Sequence, residues 1–122
     1  MAEPGGGGSD RRRWPRVALS AYVSLSSPSV QDLVDGPLHD ISLGGLFIRT
    51  SRVRPIGTEV TLLIRVPTES LELETRGIVV RSVSAEESLL TGRLPGMGVV
   101  FTGLDDAARE SIERLIQAAL GT

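Results

Sequence analysis

Val17, Leu19, Ala21, Val23 and Leu25 alternate with small or polar residues, the two-residue period of a strand with one buried face. Ser26 to Gly36 is polar, contains one proline and predicts a loop. Pro37 to Ser42 reads as a second strand that runs into a tight turn over Ser42–Gly45, and Leu46 to Thr50 as a third. Val60, Leu62, Ile64 and Val66 alternate again behind Pro55 and Gly57, which gives a fourth strand. Leu71 to Val83 predicts a long fifth strand. A bulge at Gly77 is expected there, because the apolar facing set changes from Leu71, Leu73 and Thr75 to Ile78 and Val80. Residues 84–96 read as a loop, and Gly98 to Phe101 as the last strand.

Only Leu104 to Leu120 changes to the helical period. Ala108, Ile112, Leu115, Ile116 and Ala119 fall on one stripe, Asp105 can cap the N-terminus, and Gly121 marks the end. Six short strands followed by one amphipathic helix predict a mainly β fold: a small six-stranded antiparallel barrel whose C-terminal helix covers one open end.

The composition narrows what such a barrel could do. At 122 residues the chain is long enough for one domain with a modest core. There is no cysteine, and His39 is the one histidine, which argues against thiolate chemistry, a histidine-based metal site or a histidine-dependent triad. No enzyme chemistry is expected. No apolar run approaches the ~20 residues of a membrane helix, and the N-terminus carries no apolar signal region. The expectation is a cytoplasmic, soluble protein with no membrane insertion. Residues 1–10 contain four consecutive glycines and read as a flexible tail.

Charge is distributed unevenly. The net charge is −2, but residues 11–16 hold four arginines and no acid, whereas residues 17–122 hold nine arginines against thirteen acids. Basic character is concentrated in one short arm, Arg11-Arg12-Arg13-Trp14-Pro15-Arg16, and every basic side chain apart from His39 is arginine. About thirty residues later stands Asp40-Ile41-Ser42-Leu43-Gly44-Gly45. Guanidinium forks pair bidentately with phosphate oxygens and with guanine O6/N7. A carboxylate accepts from the N1 and N2 donors of guanine. The two segments together therefore suit a ligand that carries both phosphates and guanine bases. On a regular strand Asp40 and Ser42 share a face, and Gly44 and Gly45 are expected to permit positive φ and close backbone approach. His39, one residue away, would point to the opposite side, into the barrel or toward a packing partner. Phe47 and Phe101 read as core residues, Met97 as packing, and Glu72 with Glu74 as an exposed charged face.

Arg12 and Arg16 spell RxxxR, and Asp40, Ser42 and Gly45 spell DxSxxG. That pair, in that order, resembles the PilZ domain, a bacterial receptor for cyclic di-GMP. The similarity runs from about Arg11 to about Leu120, and Gly44–Thr50 with Pro95-Gly96-Met97-Gly98 looks most like the single-domain subgroup of myxobacteria. The resemblance implies the same barrel and helix. It also implies ligand contacts from Arg12, Arg16 and the neighbouring Arg13 to phosphate and to the guanine Hoogsteen edge, with Asp40, Ser42, Gly44 and Gly45 opposite. Arg11 is a further candidate, whose guanidinium could stack on a second nucleotide, and a self-intercalated pair of ligands is expected. Cyclic di-GMP would be a ligand, not a cofactor. It would order the arm across the barrel and signal through an unidentified effector protein, in motility, polysaccharide production or development.

The residues leave other readings open. The arm alone fits a solvated basic tail, and Asp40 and Ser42 fit a turn that satisfies its own backbone groups. An adaptor that does not use the nucleotide is the alternative function. A single-strand nucleic-acid module is disfavoured, because aromatics are 3% of the chain and the body is acidic.

Overall fold

The computed structural model describes residues 15–27 and 30–121. Six strands, β1 (Tyr22–Ser27), β2 (Val30–Ile41), β3 (Gly45–Arg49), β4 (Glu59–Val66), β5 (Leu71–Val83) and β6 (Gly96–Phe101), close into a barrel in the order β1-β2-β3-β6-β5-β4. Every neighbouring pair is antiparallel. A short helix α1 (Ala85–Thr91) interrupts the β5–β6 connection, and α2 (Asp106–Gly121) ends the fold.

The barrel interior is built by the alternation expected from the sequence. Val23, Leu25, Val34, Ile41, Ile48, Leu62, Ile64, Val79 and Met97 are all fully buried. The helix closes this core with Ile112, Leu115 and Ile116, which belong to the same apolar cluster as the strand residues. Asp105 caps α2 as expected, its Oδ1 accepting from the Ala108 N–H at 2.8 Å. Ala119, placed on the same stripe, is exposed.

Three expectations need correction. The segment Ser26–Gly36 is not a loop: β2 begins at Val30, and Val34 packs into the core opposite Leu25. Gly36 does not break it, because a Cβ there would overlap the Arg49 carbonyl oxygen, so the position demands glycine within the sheet. Residues 84–96 contain α1, capped by Ser84 Oγ accepting from the Glu87 N–H at 3.0 Å. Finally, no bulge occurs at Gly77, which pairs regularly with Val60 and Phe101. Glycine is required there because a Cβ would stand 2.6 Å from Val99 Cγ1. The register shift falls between Val79 and Arg81 instead.

Because Ile112 joins helix and barrel, Ile112→Ala should lower the unfolding free energy by about 2–5 kcal/mol. The exposed Glu113→Ala should change it by less than about 0.5 kcal/mol. Urea denaturation measures both, and equal stabilities would mean that α2 adds nothing to the core.

Candidate functional site

The two sequence motifs meet because the chain ahead of β1 is tied to the end of β2. The Val17 N–H donates to the Ile41 carbonyl at 3.0 Å, and the Ile41 N–H donates back at 2.9 Å. This bridge places Arg16 beside Asp40 and Ser42. Arg16 donates to Asp40 Oδ1 through Nη2 at 2.6 Å and Nε at 3.1 Å, and to Ser42 Oγ through Nη1 at 3.4 Å. Both strong contacts fall on Oδ1. Oδ2 lies 4.0 Å from His39 Nε2 and accepts no hydrogen bond among the described residues. The pair is partly exposed, so solvent screens it and it adds on the order of 1 kcal/mol or less to stability.

The turn that carries Ser42 is built from its own groups. The Ser42 N–H donates to the Gly45 carbonyl at 2.8 Å, and Ser42 Oγ accepts from the Gly44 N–H at 3.1 Å. Ser42 is therefore both a turn residue and a partner of Arg16. Neither Gly44 nor Gly45 adopts positive φ. Gly45 is needed for space: a Cβ there would overlap the Val99 carbonyl oxygen of β6.

Around these groups opens a cavity of about 660 Å³. Arg16, Asp40, Ser42, Gly44 and Gly45 line one part of it, so the structure brings together every predicted site residue that it describes. Arg11, Arg12, Arg13 and Trp14 lie outside the described residues. The rest of the lining was not anticipated. It includes His39 and Phe47 beside Asp40, the apolar Val80, Leu94 and Val100, Gly98, and Arg81.

Two register shifts produce this second part. Leu38 points inward opposite Ile48, and regular alternation would send Asp40 inward as well. One extra residue at His39 resets the phase, so Asp40 pairs with Phe47 on the outer face while Ile41 returns to the core. His39 therefore does not enter the barrel interior. It is about half exposed, and its ring meets Phe47 edge-on at 5.9 Å. Phe47 is buried, as expected of a core residue, but it stands on the outer face of β3, outside the apolar cluster of the barrel interior. On β5 the extra residue is Val80, and it turns Arg81 outward opposite Gly98. The Arg81 guanidinium lies over the Phe47 ring, 5.6 Å from its centroid. An available signal in the sequence was the phase itself: from Thr75 through Val79, strict alternation would bury Arg81 in an apolar barrel, which is prohibitive without a partner.

The outer wall of this small closed barrel thus carries one half-polar, half-apolar cavity. The chain belongs to the PilZ domain family: the family model matches residues 10–118. This family comprises nucleotide-binding receptors and adaptors, not enzymes. No curated protein matches the chain. Among solved structures it is similar to the inhibitor of motility MotI/DgrA of Bacillus subtilis, at 19% identity and a TM-score of 0.69, covering 92% of this chain and 53% of that one. It is also similar to the PilZ domain of YcgR from Escherichia coli with c-di-GMP, at 13% identity and a TM-score of 0.67, covering 89% and 91%. The longer YcgR structure in complex with c-di-GMP gives 14% identity and a TM-score of 0.71, covering 88% and 45%. The chain thus spans about half the length of MotI and of the longer YcgR chain. At these identities the likeness establishes the fold.

Gly45→Ala should destabilise the domain by about 1–3 kcal/mol, because the added methyl must push β3 from β6. Thermal unfolding followed by circular dichroism reads this directly. An unchanged melting temperature would show that the strands separate freely at this point.

Proposed function

We propose that this domain is a receptor for cyclic di-GMP, in which Arg11, Arg12, Arg13 and Arg16 on one side and Asp40, Ser42, Gly44 and Gly45 on the other hold the ligand. The observation that carries this reading is the convergence of Arg16, Asp40 and Ser42, from two motifs 24 residues or more apart, on one open cavity. The complexes of the YcgR neighbours with c-di-GMP give it support.

The chemistry of the site fits the ligand in parts. Asp40 is held by Arg16 through one oxygen, which leaves the other to accept from the N1 and N2 donors of guanine. Arg16 also offers an N–H edge to phosphate or to the guanine Hoogsteen edge once the ligand displaces its weak contact to Ser42. The remaining arm arginines add charge against a dianion. Ordering such an arm costs about 1–2 kcal/mol per residue, and charge-assisted hydrogen bonds of roughly 1.5–3 kcal/mol each can offset it. The domain would act as a cytoplasmic switch, its ligand-ordered surface signalling to a partner protein. Leu89 and Leu90 of α1 are almost fully exposed and offer that partner an apolar contact. MotI is an inhibitor of motility, which makes motility one process to examine first.

Trp14 is the one tryptophan and lies between two of the arm arginines, so its fluorescence should change saturably on titration with cyclic di-GMP and not with GTP. Arg16→Ala should weaken binding roughly 10- to 100-fold, the equivalent of one or more charge-assisted hydrogen bonds. Absence of binding by calorimetry would leave the alternative, an adaptor that does not use the nucleotide. The same calorimetry should return two ligands per chain, as an intercalated pair requires; a stoichiometry of one would exclude the pair.

A further inference from the structure

The outer wall of the barrel carries one continuous row of paired residues across four strands. Asp40 on β2 pairs with Phe47 on β3, Phe47 with Gly98 on β6, and Gly98 with Arg81 on β5. Three interstrand steps separate the ends of the row by about 14 Å. Asp40 and Arg81 are the charged members, and each reaches the outer face through its own register shift. Two independent phase resets that deliver opposite charges to the two ends of one cavity point to a ligand that touches both ends.

The Arg81 end is shaped for a flat group. The Arg81 guanidinium carbon lies over the Phe47 ring, 5.6 Å from its centroid. Gly98 clears the floor between them: a Cβ there would stand 3.1 Å from Arg81 Cβ and 3.8 Å from Phe47 Cδ2. Arg81 is exposed and lines the cavity, and among the described residues the Phe47 ring is the one interaction seen for it. Val80, Leu94 and Val100 supply apolar walls beside it. A planar cation on an aromatic base, with apolar neighbours and no acidic partner among the described residues, is suited to stack on a nucleobase rather than to form a structural ion pair.

We propose that Arg81 is a further ligand-binding residue, held over Phe47, whose planar guanidinium stacks on the purine that is remote from Asp40. The proposal rests on the receptor reading above and assigns that site a second base-recognition end, supplied by the barrel rather than by the arm.

The test is calorimetric titration of cyclic di-GMP into the full chain and its Arg16→Ala, Arg81→Ala and Arg81→Lys variants, with melting curves as a check on folding. Arg81→Ala and Arg81→Lys should both weaken binding about 10-fold or more, because lysine keeps the charge and loses the planar stack. Their melting temperatures should stay at the wild-type value, since Arg81 is exposed. If Arg81→Lys binds like the wild type while Arg81→Ala does not, Arg81 is a charge partner of phosphate and the stacking assignment is overturned. If both bind like the wild type while Arg16→Ala fails, the receptor reading stands and this proposal falls. If the wild-type chain itself does not bind, both fall together.

Discussion

A closed barrel imposes strict alternation on each strand, and Asp40 and Arg81 reach its outer face only because that alternation is broken just before each of them. The interior is filled by fully buried aliphatic side chains, with no room for an unpaired carboxylate or guanidinium. Asp40 and Arg81 both fall in phase with inward positions, Leu38 and Val79, two residues before them. The extra residues His39 and Val80 resolve the conflict by adding one residue to each strand. In doing so they aim both charges at the same outer face. Fold stability and site geometry therefore have one origin here. The register that keeps charge out of the core also builds the cavity.

The second constraint is the bridge between Val17 and Ile41. It lies outside the regular strands yet fixes Arg16 against the end of β2. The Ser42–Gly45 turn is equally self-contained, since its backbone and the Ser42 hydroxyl satisfy one another and Gly45 sits flush on Val99. Asp40 and Ser42 are thus presented on rigid elements. Preorganisation of this kind lets a partly exposed ion pair of small intrinsic worth act as a geometric device. Arg16 orients the carboxylate through Oδ1, and among the described residues Oδ2 accepts no hydrogen bond.

The sequence made the barrel and the helix legible because period and partner agree over most of the chain: Val60 to Val66 and Leu71 to Val79 alternate without interruption, and the α2 stripe is buried at Ala108, Ile112, Leu115 and Ile116. Local signals failed where tertiary contacts overrode them. Gly36 and Pro37 look like punctuation, but Gly36 is demanded by the Arg49 carbonyl, so β2 continues through both. Gly77 looks like a bulge for the same reason and is a packing position. The polar half of the site was legible from the motif pair. The apolar half was not, because Phe47, Val80 and Val100 have the composition of core residues, and only the two register shifts reveal that they face outward.

This division of the site bears on how a signal could leave the domain. The barrel core is closed by α2 and fully packed, and packed interiors resist continuous deformation. A ligand on the outer wall has little leverage on that core. On the receptor reading, its leverage is on the elements that line the cavity: Arg16, and the β5–β6 connection, which leaves the sheet after Val83 and carries α1. Leu94, which follows α1, already lines the cavity, while Leu89 and Leu90 stand in solvent a few residues earlier. Contact at the Arg81 end therefore bears on the same connection that presents the exposed leucines. On the receptor reading proposed above, recognition and output would share one short segment of the surface, carried on the closed barrel beneath.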